Sequence, residues 1–225
     1  MFKQLCKLLT LTALQMFWLP ATYADIVNGD FSQGNSGFTS DYTYDFPIRG
    51  QTKYSITLAS QINAQTILGD WPSISALPNG LDGNVLLADG ATFKDYAVWK
   101  ETITVTPFTD YRFSFYTADV DKSIYSSLNA NISIELNGAI LSTLNTTQSW
   151  QLGQGFFNSG NQTSVNLSLV DANISASGND FAIANINLVA APVPTPTSLL
   201  LFLSGIGIMF NTSKSRHILR KSLIK

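Results

Sequence analysis

The chain has 225 residues, 45% of them hydrophobic and only 12% charged, with one cysteine, one histidine and a formal net charge of −2. A single cysteine, Cys6, excludes a disulfide framework and a thiolate metal cluster. The lone histidine, His217, lies in a basic tail, which excludes a Ser-His-Asp triad and a histidine zinc site in the body of the protein.

The first 24 residues read as a signal peptide. Lys3 and Lys7 flank the start of an almost wholly apolar run from Leu8 to Leu19. Pro20 ends the helical pattern, and Thr22-Tyr23-Ala24 supplies small residues for cleavage. Cleavage is expected between Ala24 and Asp25. A run of 12 residues is too short to cross a hydrocarbon core of ~30 Å, so the segment is not read as an anchor. Cys6 precedes the apolar run, on the wrong side for lipid attachment.

Residues 25–190 form the expected domain, long enough to bury a sizeable core. All 15 acids lie in it against six bases (Arg49, Lys53, Lys94, Lys100, Arg112 and Lys122), a balance of −9. Such a body repels nucleic acid and anionic lipid, so neither is expected as a partner. Period-two alternation dominates it. Trp99, Ile103 and Val105 share a face, with Glu101 as the odd member, and the face marks Trp99 as core. Tyr111, Phe113 and Phe115 point one way while Arg112, Ser114 and Tyr116 point the other. Ile132, Ile134 and Leu136 repeat the pattern, as do Val165, Leu167 and Leu169. Asn79-Gly80, Asp82-Gly83, Asp89-Gly90, Asn137-Gly138 and Ser159-Gly160 are turn signals, and Asn137-Gly138 predicts a hairpin. Phe181 and Ile183 are followed by Ile186 and Leu188, a slip of phase around Ala184 that predicts a bulge. No window shows sustained helical periodicity. The fold class expected is all-β, an antiparallel sandwich.

Residues 191–225 change character. APVPTPT at 191–197 stops regular structure, the apolar run Ser198–Phe210 predicts a short helix, and Lys214, Arg216, Arg220, Lys221 and Lys225 make a basic end. The helix would be about 20 Å long, short for a permanent span, with its bases on the cytoplasmic side. This order of parts resembles the PEP-CTERM sorting signal of Gram-negative bacteria that make exopolysaccharide. The resemblance implies recognition by an exosortase, at least transient contact with the inner membrane, and final residence at the cell envelope, surface or extracellular matrix. The motif is carried by Val193-Pro194-Thr195-Pro196, with Thr195 where the family has glutamate.

Two segments of the body carry a second resemblance. Asn28-Gly29-Asp30-Phe31 with GNSGFTSDYTY at 34–44, and SGNDFAIANINL at 177–188, resemble the opening and closing strands of jelly rolls of the galactose-binding-like, carbohydrate-binding-module type. Modules of that type often hold a structural calcium near the first and last strands. The resemblance implies Asp30 and Asp180 as its carboxylates, with Ala184 and Asn185 where the family has paired aspartates.

Catalytic chemistry has few candidates. Glu101 and Glu135 would have to face each other across a cleft to act as a glycosidase pair. Asp119 and Asp121 form an Asp-x-Asp of the kind that shapes turns or binds cations. No phosphate loop or dinucleotide fingerprint occurs. A binding role would rest on aromatic rings that stack on sugar faces. Trp71, Tyr42, Tyr44 and Trp150 are the candidates, each as suited to burial as to ligand contact. The leading expectation is a non-catalytic exported protein that binds, or is embedded in, exopolysaccharide. The alternatives are a self-associating structural surface protein and a minor glycan-active enzyme.

Overall fold

The computed structural model describes residues 25–64, 77–78, 83–121 and 129–191. The expected signal peptide with Ala24, the segment holding Trp71, and the C-terminal segment with Val193, Pro194, Thr195 and Pro196 lie outside these residues. Among the described residues the strands are β1 (Thr43–Tyr44), β2 (Lys53–Leu58), β3 (Asn84–Asp89), β4 (Ala97–Thr104) and β5 (Asp110–Asp119). They continue as β6 (Asn131–Leu136), β7 (Ala139–Asn145), β8 (Gln151–Asn158), β9 (Ser164–Asp171) and β10 (Phe181–Ala190), with a 3-10 helix at Ala59–Ala64 after β2. No helix among them is long and apolar enough to cross a membrane.

These strands make a jelly-roll sandwich of two sheets. One has the order β1-β2-β3-β10-β5-β8, the other β4-β9-β6-β7. Pairing is antiparallel apart from β1, which runs parallel to β2 over two residues. The alternation read in the sequence sets which faces meet. Tyr111, Phe113 and Phe115 of β5, Ile132 and Ile134 of β6, and Val165, Leu167 and Leu169 of β9 are all buried between the sheets. Trp99 is fully buried and packs on Phe113 with ring centroids 5.8 Å apart. Each such side chain contributes roughly 1.5–3 kcal/mol through burial. The Asn137-Gly138 hairpin is present, with both residues at positive φ (51° and 81°) between Leu136 and Ala139, as a two-residue turn of matching twist requires.

β3 escaped the alternation rule for a physical reason. Val85, Leu86, Leu87 and Ala88 are buried in succession, because this strand is covered on both faces. Leu86 and Ala88 join the central core. Val85 and Leu87 join a second core on the outer face of the six-stranded sheet, with Ile48, Ile62 and Leu77.

The four residues of the opening motif each have a structural task. Asn28, at φ 57°, donates from Nδ2 to the carbonyls of Gly34 (2.9 Å) and Ser36 (2.8 Å) and accepts from Gln33 N–H at 2.9 Å. Gly29 accepts the Ile186 N–H through its carbonyl at 2.8 Å, tying the motif to β10. Asp30 closes its own turn by accepting from Ser32 N–H and Oγ, and Phe31 is fully buried.

Candidate functional site

Among the described residues, the outer face of the six-stranded sheet is covered over only part of its width. The second core lies over β2, β3 and the first half of β10, where Ala182 and Ala184 point outward into it. Beyond it, β5, β8 and the second half of β10 expose a cleft of about 430 Å³. Cross-strand pairs define its floor. Tyr116 faces Leu152, Ser114 faces Gln154, and Arg112 faces Phe156 on β8. Asn187 and Val189 of β10 stand opposite Ser114 and Arg112 on the other side. Leu152 is 47% exposed and Phe156 66%.

The bulge predicted near Ala184 builds this site. The β10–β5 register shifts between Ala184 and Asn187, and Asn185 sits at φ 51°. Phe181 and Ile183 point inward before the shift, Ile186 and Leu188 after it. In an unbroken strand Asn187 would share the inward parity of Phe181. The extra residue turns it into the cleft instead, beside Asn185 and Asp30.

Among the described residues, the side chains of Arg112, Ser114, Tyr116, Gln154, Asn185 and Asn187 make no hydrogen bond or ion pair within the protein. Donors and acceptors are therefore gathered on one concave surface, next to apolar and aromatic faces, with their capacity unused. Asp30 is the one carboxylate in the lining, held ionised by the Ser32 N–H and hydroxyl, which pull its pKa below the usual value.

The aromatic candidates read from the sequence fall mostly elsewhere. Tyr42 is 4% exposed, and its hydroxyl accepts the Ala91 N–H at 2.9 Å, so it is core rather than ligand platform. Tyr44 is 43% exposed and packs edge-on against Tyr54, but it lies on β1, the edge of the sheet opposite β8. Trp150 immediately precedes β8 and, like Tyr116, packs partly buried against the second core, but only Tyr116 lines the cleft. Of the cleft residues, the sequence groups only Arg112, Ser114 and Tyr116, which share an outward face in the alternation of β5.

Glu101 and Glu135 do not form a pair. Glu101 stands opposite Leu167 with the inward set of β4 and accepts the Val27 N–H at 3.1 Å. Glu135 is opposite Ser168, on the outer face of the same sheet. Two carboxylates on opposite faces of one sheet cannot flank a glycosidic bond.

The calcium pair is likewise separated. Asp30 adjoins Ile186 through Gly29, whereas Asp180 precedes β10 and accepts the Gly90 N–H at 3.3 Å. Those two attachment points are six residue steps apart along the chain, on the order of 20 Å at ~3.3 Å per step. The residues expected to hold calcium together do not fit it. Asp180 instead belongs to a group of carboxylates at strand ends, with Asp89, Asp119, Asp121 and Asp171. Burial raises Asp171 to about 7 and Asp89 and Asp119 to about 6. Asp119 Oδ1 accepts the Asp121 N–H at 2.8 Å, so the Asp-x-Asp shapes a turn. Among the described residues, no three His, Cys, Asp or Glu side chains are grouped to hold a metal ion.

No family model matches the chain, and no curated protein matches it. Solved structures do overlap it. The N-terminal CBM22-1–CBM22-2 tandem domain of Paenibacillus barcinonensis Xyn10C aligns at 15% identity over 80% of this chain and 48% of its own length, with a TM-score of 0.49. A family 16 carbohydrate-binding module aligns at 16% identity over 73% of this chain and 98% of its own, TM-score 0.40. The C-terminal domain of EclA, a sugar-binding protein, aligns at 23% identity over 41% of this chain and 66% of its own, TM-score 0.35. The chain thus spans about half the length of the tandem domain and about two thirds of the EclA domain. The overlaps are partial, and a functional reading rests on the surface chemistry of this chain.

Proposed function

We propose that this protein is a non-catalytic, exported glycan-binding protein whose ligand lies along the cleft formed by β5, β8 and the end of β10. One observation carries the reading: six polar side chains without internal partners among the described residues share a concave surface with exposed Leu152 and the ring of Tyr116. Sugars present apolar C–H faces and a dense set of hydroxyls, and such a surface answers both. Tyr116 is the aromatic ring in the lining. Glu101 and Glu135, on opposite faces of one sheet, supply no hydrolytic dyad.

Tyr116→Ala is expected to weaken polysaccharide binding roughly fivefold while the protein stays folded, since stacking on one ring is worth on the order of 1 kcal/mol. Affinity electrophoresis through gels containing soluble polysaccharides, the producing organism's own exopolysaccharide among them, reads this directly. Retardation by none of them sinks the reading.

The place of action proposed is the envelope or matrix, reached through the signal peptide and the C-terminal sorting segment, with exosortase as the processing partner. The order of Pro-rich motif, apolar run and basic end supports this. Cells expressing the full chain should retain it at the surface or release it processed, whereas a chain ending at Ala191 should distribute differently. Identical fractionation of the two would end the sorting proposal.

A further inference from the structure

Building on the glycan-binding reading, we propose that the cleft selects an acidic, carboxylate-bearing glycan, a polymer containing uronic acid, with Arg112 pairing the sugar carboxylate. Among the described residues, Arg112 is the one base in the lining of the cleft. Three other bases among these residues are matched. Arg49 and Lys53 pair with Asp45, and Lys100 pairs with Asp41. Lys94 has no ion pair among the described residues, but it stands on the exposed β3–β4 loop, outside the cleft lining. Arg112 thus keeps an unmatched positive charge at the place where ligand is proposed to lie.

The neighbours of Arg112 sharpen its preference. Its two cross-strand partners are apolar, Phe156 on β8 and Val189 on β10. A neutral chain laid over this position would strip water from the guanidinium and return only hydroxyl dipoles. A carboxylate returns two parallel charge-assisted hydrogen bonds to the planar fork of this exposed side chain. Asp30 lies toward the other end of the cleft, next to Ile186, three residues along β10 from Val189 and on the order of 10 Å away. The cleft therefore has polarity. Asp30 suits hydroxyl donors, Arg112 suits the anionic substituent, and Ser114, Gln154 and Asn187 lie between them. Since the body as a whole is acidic, attraction of a polyanion has to come from this local site rather than from the general field.

Affinity electrophoresis of the full-length protein tests the assignment with five soluble polymers: polygalacturonate, alginate, carboxyl-reduced polygalacturonate, dextran and dextran sulfate. The expected result is retention by at least one uronate polymer about fivefold or more tighter than by the carboxyl-reduced and neutral polymers. Arg112→Gln should remove that margin, and Arg112→Lys should restore only part of it because the ammonium lacks the fork. Tyr116→Ala should weaken every retained polymer. Retention by carboxyl-reduced polygalacturonate or dextran alone, unchanged in Arg112→Gln, overturns the acidic-glycan assignment and leaves the glycan-binding reading standing. Equal retention by dextran sulfate and the uronates also overturns it, in favour of a general anion site. Retention by no polymer overturns both. Unchanged thermal melting of the Arg112 variants separates loss of binding from loss of fold.

Discussion

Gly29→Ala is expected to lower the melting temperature by roughly 6–12 °C, the consequence of about 3 kcal/mol lost from a domain of this size. A Cβ at this position would overlap the backbone carbonyl oxygen of Ile186 and press on the Ile26 side chain. Backbone cannot step aside as a flexible side chain can. The Ile186 N–H to Gly29 carbonyl bond at 2.8 Å would also be disturbed. Both groups lie at the β10 bulge, so the damage reaches the cleft, and any polysaccharide affinity should fall with stability. Gly34→Ala serves as the comparison. That glycine has nothing within 4 Å of the added carbon, although its φ of 66° still imposes about 1 kcal/mol of backbone strain. Thermal melts of the two variants beside the parent protein decide the matter, and equal losses would show that the Gly29 contact is not what holds the motif to β10.

Melting temperature is also expected to fall, by roughly 5–10 °C, as pH rises from 5 to 8. The origin is the carboxylate group at the strand ends. Asp171 is 1% exposed, and its Oδ1 accepts the N–H groups of Asn131 (2.8 Å) and Asn173 (2.9 Å). Its Oδ2 has no partner, and the carboxamide of Asn179 lies against it with its own Oδ1 buried and unpartnered. A proton on Asp171 gives this cluster of acceptors a donor. The groups around it add no positive charge. They are the Tyr42 hydroxyl, Asp89, Asp119, Asp121 and Asp180, from β3, β5 and the segments before β2 and β10. Burial is the largest cause in each case of raised pKa. Because the folded-state pKa values are raised, the protonated forms favour the fold. Their contribution is complete below the unfolded value near 3.9 and is lost as pH climbs through about 6 for Asp89 and Asp119 and about 7 for Asp171. Raising Asp171 alone from 3.9 to about 7 corresponds to roughly 4 kcal/mol at most. Asp45, held low first by its bond from Lys53, and Asp30, held low by Ser32, act in the opposite sense below about pH 4. Stability should therefore peak in mildly acidic solution. Asp171→Asn keeps the Oδ1 acceptor and places a permanent donor at Oδ2, so its melting curve should depend less on pH. A parent protein that melts at the same temperature from pH 5 to 8 would refute this account.

Much of the sandwich is legible along the chain because burial between two sheets imposes a period of two. Tyr111-Phe113-Phe115 and Val165-Leu167-Leu169 show it, and Asn137-Gly138 marks the hairpin through its need for positive φ at both residues. β3 is not legible in this way. Covered on both faces, it loses the alternation and reads only as an apolar run. The site is legible in fragments. Arg112, Ser114 and Tyr116 share a face in the sequence, and the phase slip near Ala184 announces the bulge. The aromatic candidates are not sorted by sequence, because a tyrosine near the opening motif suits burial and ligand contact equally, and only the fold engages the Tyr42 hydroxyl with the Ala91 N–H inside the protein.

Local pattern, then, determined what depends on neighbours along the chain: an all-β body, the inward and outward faces of its strands, its tight turns, and the bulge in β10. Tertiary structure alone decided what depends on which strands become neighbours. It set β8 and β10 on either side of β5, left that part of the sheet uncovered, and so brought Arg112, Gln154 and Asn187 onto one surface. It also parted Asp30 from Asp180 and Glu101 from Glu135. Strand order in a sandwich is set by contacts between residues far apart in the chain, and periodicity within a strand carries no record of them.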